Sequence, residues 1–130
     1  MQNVLVDNSS WIDYFKGKDS KIIPFVNELL DAGAVCTNNI VLAELTPVLG
    51  AKKEYGLVDL MNSLTNVPLD IDWQELIKLQ GNNIKNGINK VGIPDLIILQ
   101  NVIQNDLRLF SLDRHFKLMR DIIDFDLIER

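Results

Sequence analysis

The sequence predicts an α/β fold with a mainly parallel sheet. Short apolar runs, among them Val4-Leu5-Val6, Val35-Cys36-Thr37 and residues 107–112, alternate with stretches of helical periodicity, the pattern of strand–helix units. The first run reads as a buried strand. No repeat, low-complexity tract or linker interrupts the alternation, so one domain spanning residues 1–130 is expected.

Composition narrows the class. Apolar residues make up 47% of the 130 and charged residues 24%, the balance of an ordinary soluble protein. No apolar run reaches membrane-spanning length, and the first residues lack a signal-peptide pattern. A cytoplasmic protein with no membrane association is therefore expected. The single Cys36 follows Ala34-Val35 and reads as a buried, inert thiol. The net charge of −5 argues against broad, non-specific binding to nucleic acid, which rests on neutralising phosphates.

Each element has its own signal in the sequence. After a strand over residues 3–6, Ser9 or Ser10 caps a helix through Phe15, and Gly17 suits its end. Asp19 or Ser20 opens a second helix with Ile22, Ile23, Val26, Leu29 and Leu30 inward and Gly33 after it. A strand over 35–37 leads to a helix capped by Asn38, which Pro47 is expected to end or kink. Tyr55, Leu57, Val58, Leu60, Met61 and Leu64 mark the next helix. Residues 66–69 form a short strand, placed at the sheet edge by Pro68. Asp72 and Glu75 make a capping-box-like start for a helix packed through Trp73, Leu76, Ile77, Gln80 and Ile84. Residues 86–92, with two glycines, form a loop. Pro94 opens an almost wholly buried helix through Leu96, Ile97, Ile98, Leu99, Val102 and Ile103. A fourth strand lies within 107–112, Asp113 opens a short helix, and 122–128 adds a fifth strand.

Four acids stand where an apolar element meets polar chain: Asp7, Glu44, Asp95 and Asp113. Acids rarely lie against a core unless paired or metal-bound. Asp7 follows a strand, and in open α/β sheets ligands bind beyond the carboxyl ends of strands. Glu44, four after Ile40, three after Val41 and four before Val48, falls in the middle of an apolar stripe. Asp95 and Asp113 lie at helix starts, where an acid also serves the dipole or a cap. Clustered carboxylates repel unless a divalent cation sits among them, so a metal site joining all four is the leading reading. Ser9 and Ser111, each two residues from an acid, are placed to orient a carboxylate or a bound water. His115, the only histidine, reads as a solvated helix residue rather than a ligand. One histidine and one cysteine argue strongly against a structural zinc site. Lys85 and Lys90 flank the loop before Asp95, and Arg114, Lys117 and Arg120 follow Asp113 at spacings of three. Both groups are candidates for phosphate contacts.

The segments Leu5-Val6-Asp7-Asn8-Ser9-Ser10-Trp11-Ile12-Asp13-Tyr14, Leu42-Ala43-Glu44-Leu45, Ile93-Pro94-Asp95-Leu96-Ile97-Ile98 and Phe110-Ser111-Leu112-Asp113-Arg114-His115-Phe116 together resemble the PIN domain family. The likeness spans essentially the whole chain and is nearest to VapC-type toxins of toxin–antitoxin pairs. It implies a Rossmann-like three-layer α/β/α sandwich and an endoribonuclease dependent on Mg²⁺ or Mn²⁺. The acidic metal positions carry over to Asp7, Glu44, Asp95 and Asp113, and the Asp-x-Ser/Thr hydroxyl to Ser9. Asn8 departs from the Thr often found beside the first Asp. A homodimer and a cognate antitoxin are implied as well, with the apolar surface over residues 20–64 as the dimer face.

Other functions on similar sheets fit less well. A receiver domain needs adjacent acids after its first strand, and a haloacid-dehalogenase-like site needs Asp-x-Asp. Here Asp7 is followed by Asn8-Ser9. The stronger rival is a non-catalytic PIN-fold module that binds metal or a protein partner without cleaving RNA.

Overall fold

The structure is a computed structural model that describes residues 3–19 and 21–129. Along the chain the elements are β1 (Val4–Val6), α1 (Asn8–Lys16), α2 (Ile22–Asp31), β2 (Val35–Thr37), α3 (Asn39–Ala51), α4 (Tyr55–Ser63), β3 (Thr65–Asn66), α5 (Trp73–Lys85), α6 (Ile93–Gln104), β4 (Arg108–Phe110), α7 (Arg114–Arg120) and β5 (Asp126–Ile128). The strands form one sheet in the order β3-β2-β1-β4-β5. Every neighbouring pair is parallel, so the sheet is wholly rather than mainly parallel among the described residues. With its helices it makes the expected α/β sandwich.

The strand order positions the site. From β1 the chain steps outward to β2 and β3, then crosses back to β4 and β5 on the other side of β1. Where the order reverses, the connections leaving two adjacent carboxyl ends diverge and open a crevice. That point lies between β1 and β4. Val6 is in register with Phe110, and the Asp7 N–H donates to the Phe110 carbonyl at 3.2 Å. The segments carrying Asp7 and Ser111 therefore leave the sheet side by side.

The core surrounds these central strands. Leu5, Val6, Leu109 and Phe110 are fully buried. In α6, seven consecutive residues, 96–102, are buried, as its apolar run predicts. Ile103, in the last turn of the helix, is exposed. Gly17 ends α1 with φ 68°, a left-handed conformation that glycine adopts without a Cβ penalty.

Several boundaries differ from the sequence expectation. The cap of α1 is Asp7 rather than Ser9 or Ser10. Asp19 Oδ1 accepts from the backbone N–H groups of Lys21 and Ile22 at the start of α2, while Ser20 lies outside the described residues. Pro47 does not end α3, which runs on to Ala51. Proline removes one helical hydrogen bond, that to the Ala43 carbonyl, and Ala43 and Pro47 are both exposed, so solvent can satisfy the freed acceptor. The edge strand β3 covers 65–66 rather than 66–69, with Pro68 beyond it.

The largest correction concerns α5. Trp73, Ile77 and Ile84, expected inward, are 57%, 64% and 62% exposed, and the buried positions are Leu76 and Asn83. Amides hold the inner face. Gln100 of α6 donates to the Asp72 carbonyl and to Glu75 Oε1, and its Oε1 accepts from the Asp72 N–H. Asp72 does cap α5 by accepting from the Glu75 N–H at 3.2 Å. Glu75 reaches Gln100 instead of closing the reciprocal half of a capping box. No helix among the described residues is long and apolar enough to cross a membrane.

Candidate metal centre

Asp7 is the buried member of the acid group, 5% exposed at the carboxyl end of β1. Ser9 Oγ donates to its Oδ1 at 2.7 Å and Ser111 Oγ to its Oδ2 at 2.6 Å. The Ser10 N–H also faces Oδ1, at 3.4 Å. The two serines in turn accept from the backbone of the β4–α7 connection: Leu112 N–H to Ser9 Oγ and Asp113 N–H to Ser111 Oγ, each at 3.0 Å. Each hydroxyl thus ties the first acid to the segment carrying the last. The Asp7 carboxylate caps α1 and is also held by both serine hydroxyls.

Asp113 caps α7 by accepting from the His115 N–H at 2.8 Å. Asp95 sits in the first turn of α6. One potential ligand atom from each of Asp95, Asp113 and His115 lies within 4.8 Å of the others. All three residues are half-buried. Glu44 approaches from α3 and is exposed, which corrects the expectation of a glutamate sunk in an apolar stripe. The buried row of α3 is Val41, Leu45 and Leu49. Glu44 falls beside that row and faces the rim of the crevice, where its Oε1 accepts from Asn8 Nδ2 at 3.2 Å.

The electrostatics show that the four acids share one locality. Burial pushes the Asp95 carboxyl up to about 6, helped by the charges of Asp113, Asp7 and Glu44 and opposed by His115. Burial also raises the Asp7 carboxyl; the Ser111, Ser9 and Ser10 hydrogen bonds pull it back, and the Asp113 charge adds to the rise. Like charges gathered at a half-buried crevice form a focus of negative potential, which a divalent cation relieves. Cys36, by contrast, is fully buried, and burial pushes its thiol up to about 11, the state of an inert core cysteine.

The basic candidates divide. Arg114 begins α7 directly after Asp113, and Lys90, exposed with φ 67°, lies in the loop leading to Asp95. Lys85, at the end of α5, and Lys117, midway along α7, are exposed. Arg120 is at the far end of α7. It lines a cavity of about 510 Å³ with Leu107, Asp124 and Asp126, at the amino ends of β4 and β5. That cavity is at the opposite end of the strands from the acids, so its size has no bearing on the carboxylate cluster.

Two residues at the site were given no site role from sequence. Asn8 is marked only by its place next to Asp7. His115 is marked by its place two residues after Asp113, at the start of a helix, a position that leaves open whether the ring faces solvent or the crevice.

Among solved structures, the fold is similar to a VapBC2 structure from Rickettsia felis bound to a DNA fragment from its promoter, with a TM-score of 0.74, 15% identity and 96% of each chain covered. It is also similar to a DNA-bound VapBC from Salmonella typhimurium, with a TM-score of 0.75, 19% identity and 98% of each chain covered. A third likeness is to VapBC-1 from nontypeable Haemophilus influenzae, with a TM-score of 0.70, 17% identity, and 97% of this chain and 96% of that one covered. At such identities the likeness is one of fold. No curated protein matches the sequence. The family model described as PIN domain matches residues 4–122, a span that takes in all five strands except β5 and every acid of the crevice, and on that match the chain belongs to the PIN domain family.

Proposed function

We propose that this protein is a divalent-metal-dependent endoribonuclease, the toxin of a toxin–antitoxin pair, acting in the cytoplasm. The observation that carries this is the convergence of Asp7, Glu44, Asp95 and Asp113 from four separate segments; their charges add to the burial that raises the Asp95 carboxyl to about 6. The donor set fits Mg²⁺ or Mn²⁺, hard ions that take carboxylate oxygens and keep several waters. Asp95, Asp113 and Asp7 would hold the ion, with Glu44 at the rim, direct or through water. When bound, the ion supplies Lewis-acid stabilisation of the phosphodiester and a nucleophile at neutral pH. The protein's own part is positioning. Ser9 and Ser111 fix both oxygens of Asp7, Asn8 steadies Glu44, and Arg114, exposed directly after Asp113, with Lys90, exposed in the loop before Asp95, would meet backbone phosphates.

The likeness to VapBC structures supports an antitoxin partner, and family resemblance supports a homodimer. Val48 and Tyr55, 48% and 62% exposed within residues 20–64, supply apolar surface for the dimer. Light scattering at tens of micromolar, on the order of ordinary association affinities, should give twice the monomer mass; a monomer would reject the dimer.

Cleavage of cellular RNA in Mg²⁺ or Mn²⁺, with chelator and Asp7→Asn as controls, tests the activity. Cleavage should need the ion and fall by about 100-fold or more in Asp7→Asn, the scale of loss when reacting groups are misplaced. The net charge of −5 favours the second reading, a non-catalytic PIN-fold module. Metal binding by calorimetry without any cleavage would establish that reading instead.

A further inference from the structure

The carboxylates account for a hard-ion site, but His115 adds a donor of another kind. Its backbone N–H is tied to Asp113 Oδ1 at 2.8 Å, which fixes the start of α7 against that carboxylate. The ring Nδ1 stands 3.6 Å from the same oxygen, beyond hydrogen-bond length. Two donors each about 2.1 Å from one ion lie roughly 3 Å apart when cis and roughly 4 Å apart when trans. The observed separation falls between these, and a carboxylate oxygen of Asp95 completes a trio within 4.8 Å. The side chains of His115 and Asp113 are 31% and 35% exposed, so the trio is within reach of solvent.

Building on the metal reading above, we propose that His115 is a nitrogen ligand of the ion held by Asp95 and Asp113. The centre then prefers nitrogen-accepting first-row ions: Mn²⁺ over Mg²⁺, and Co²⁺ or Ni²⁺ over Mn²⁺. Imidazole adds little for Mg²⁺, which favours oxygen and sheds water reluctantly, whereas affinity for a mixed nitrogen–oxygen site climbs from Mn²⁺ through Co²⁺ to Ni²⁺. The competing role for His115 is that of a countercharge to the acids, with no bond to the ion. The two roles differ in whether nitrogen touches metal.

The chain has a single histidine, so the assignment is direct in an untagged protein. Pulsed electron paramagnetic resonance of the Mn²⁺-loaded wild type should show coupling to one coordinated imidazole nitrogen, absent in His115→Gln. By calorimetry, His115→Gln should weaken Ni²⁺ on the order of tenfold and Mg²⁺ by less than about twofold. Mn²⁺ bound to the wild type without nitrogen coupling, or equal losses for both ions, would overturn the assignment and leave the carboxylate centre standing. Failure of the wild type to bind any of these ions would overturn both. The wild-type spectrum decides the ligation even if the variant does not fold.

Discussion

Ser111 and Glu44 both belong to the acid group, yet burial gives them opposite weights in stability. Ser111 is 2% exposed and bonds Asp7 Oδ2 at 2.6 Å while accepting from the Asp113 N–H at 3.0 Å. Ser111→Ala leaves a buried carboxylate oxygen and a backbone donor without those partners, and such losses cost about 1–3 kcal/mol. Glu44 is exposed at the rim, so Glu44→Gln under chelator should change stability by less than about 0.5 kcal/mol, as ordinary surface substitutions do. Urea melts of the two variants beside wild type check both expectations. A loss of several kcal/mol in Glu44→Gln would mean a structural ion pair. Asp7, Asp95 and Asp113 were readable from sequence because each stands at or near an element end, and Glu44 because it interrupts an apolar helical run. The depth of Glu44 was not, since Ile40, Val41 and Val48 allow two stripes about one turn-fraction apart, and only packing selects Val41, Leu45 and Leu49.

At the scale of elements, the parallel strands and the buried helix α6 were legible because strong apolar runs leave little choice. The inner face of α5 was not, because hydrophobic periodicity assumes that polar side chains face water. Here Gln100, 1% exposed, uses its amide to clasp the start of α5 through Asp72 and Glu75. Asn83, fully buried, faces Met119 Sδ at 3.4 Å. Asn38 and Asn101 make a further buried pair, Nδ2 to Oδ1 at 3.0 Å, and Asn101 reaches the Pro68 carbonyl at 3.1 Å. With amides holding the inside, the apolar row Trp73, Ile77 and Ile84 turns outward. Gln100→Leu keeps the volume and removes the clasp. It should destabilise the protein by about 1–3 kcal/mol, because the Asp72 N–H and carbonyl lose their partner. Thermal and urea melts would detect this. A neutral outcome would show that solvent replaces the bonds and that the remaining contacts, Leu76 and Leu79 among them, hold α5.

For the whole molecule, the crossover at β1 and β4 gathers negative charge at one end of the sheet, and that placement sets how stability depends on pH. The Asp95 carboxyl lies at about 6 in the folded protein, against an ordinary value of 3.8, and Asp7 is raised as well. Groups raised on folding hold protons that the unfolded chain has released. Between the ordinary carboxylate range and about pH 6, the folded state therefore binds more protons, and stability falls as pH rises. The contribution is full below about pH 4 and lost above Asp95's folded value. Without metal, the urea midpoint should be higher at pH 5 than at pH 7.5, the reverse of a protein stabilised by ordinary paired carboxylates. Mn²⁺ should invert the slope. Coordination requires ionised carboxylates, so the metal stabilises most at pH 7.5, by about 2.7 kcal/mol when its free concentration is 100 times its dissociation constant. Asp95→Asn separates the two effects. It cannot titrate, so under chelator its midpoint should change less between the two pH values and exceed that of wild type at pH 7.5. In Mn²⁺ the order should reverse, because the variant offers a neutral amide where wild type offers a charged ligand. If wild type under chelator were instead more stable at pH 7.5, Asp95 would have to be paired with a cation in the folded protein, and the crevice would not be the site of unrelieved negative charge that its geometry implies.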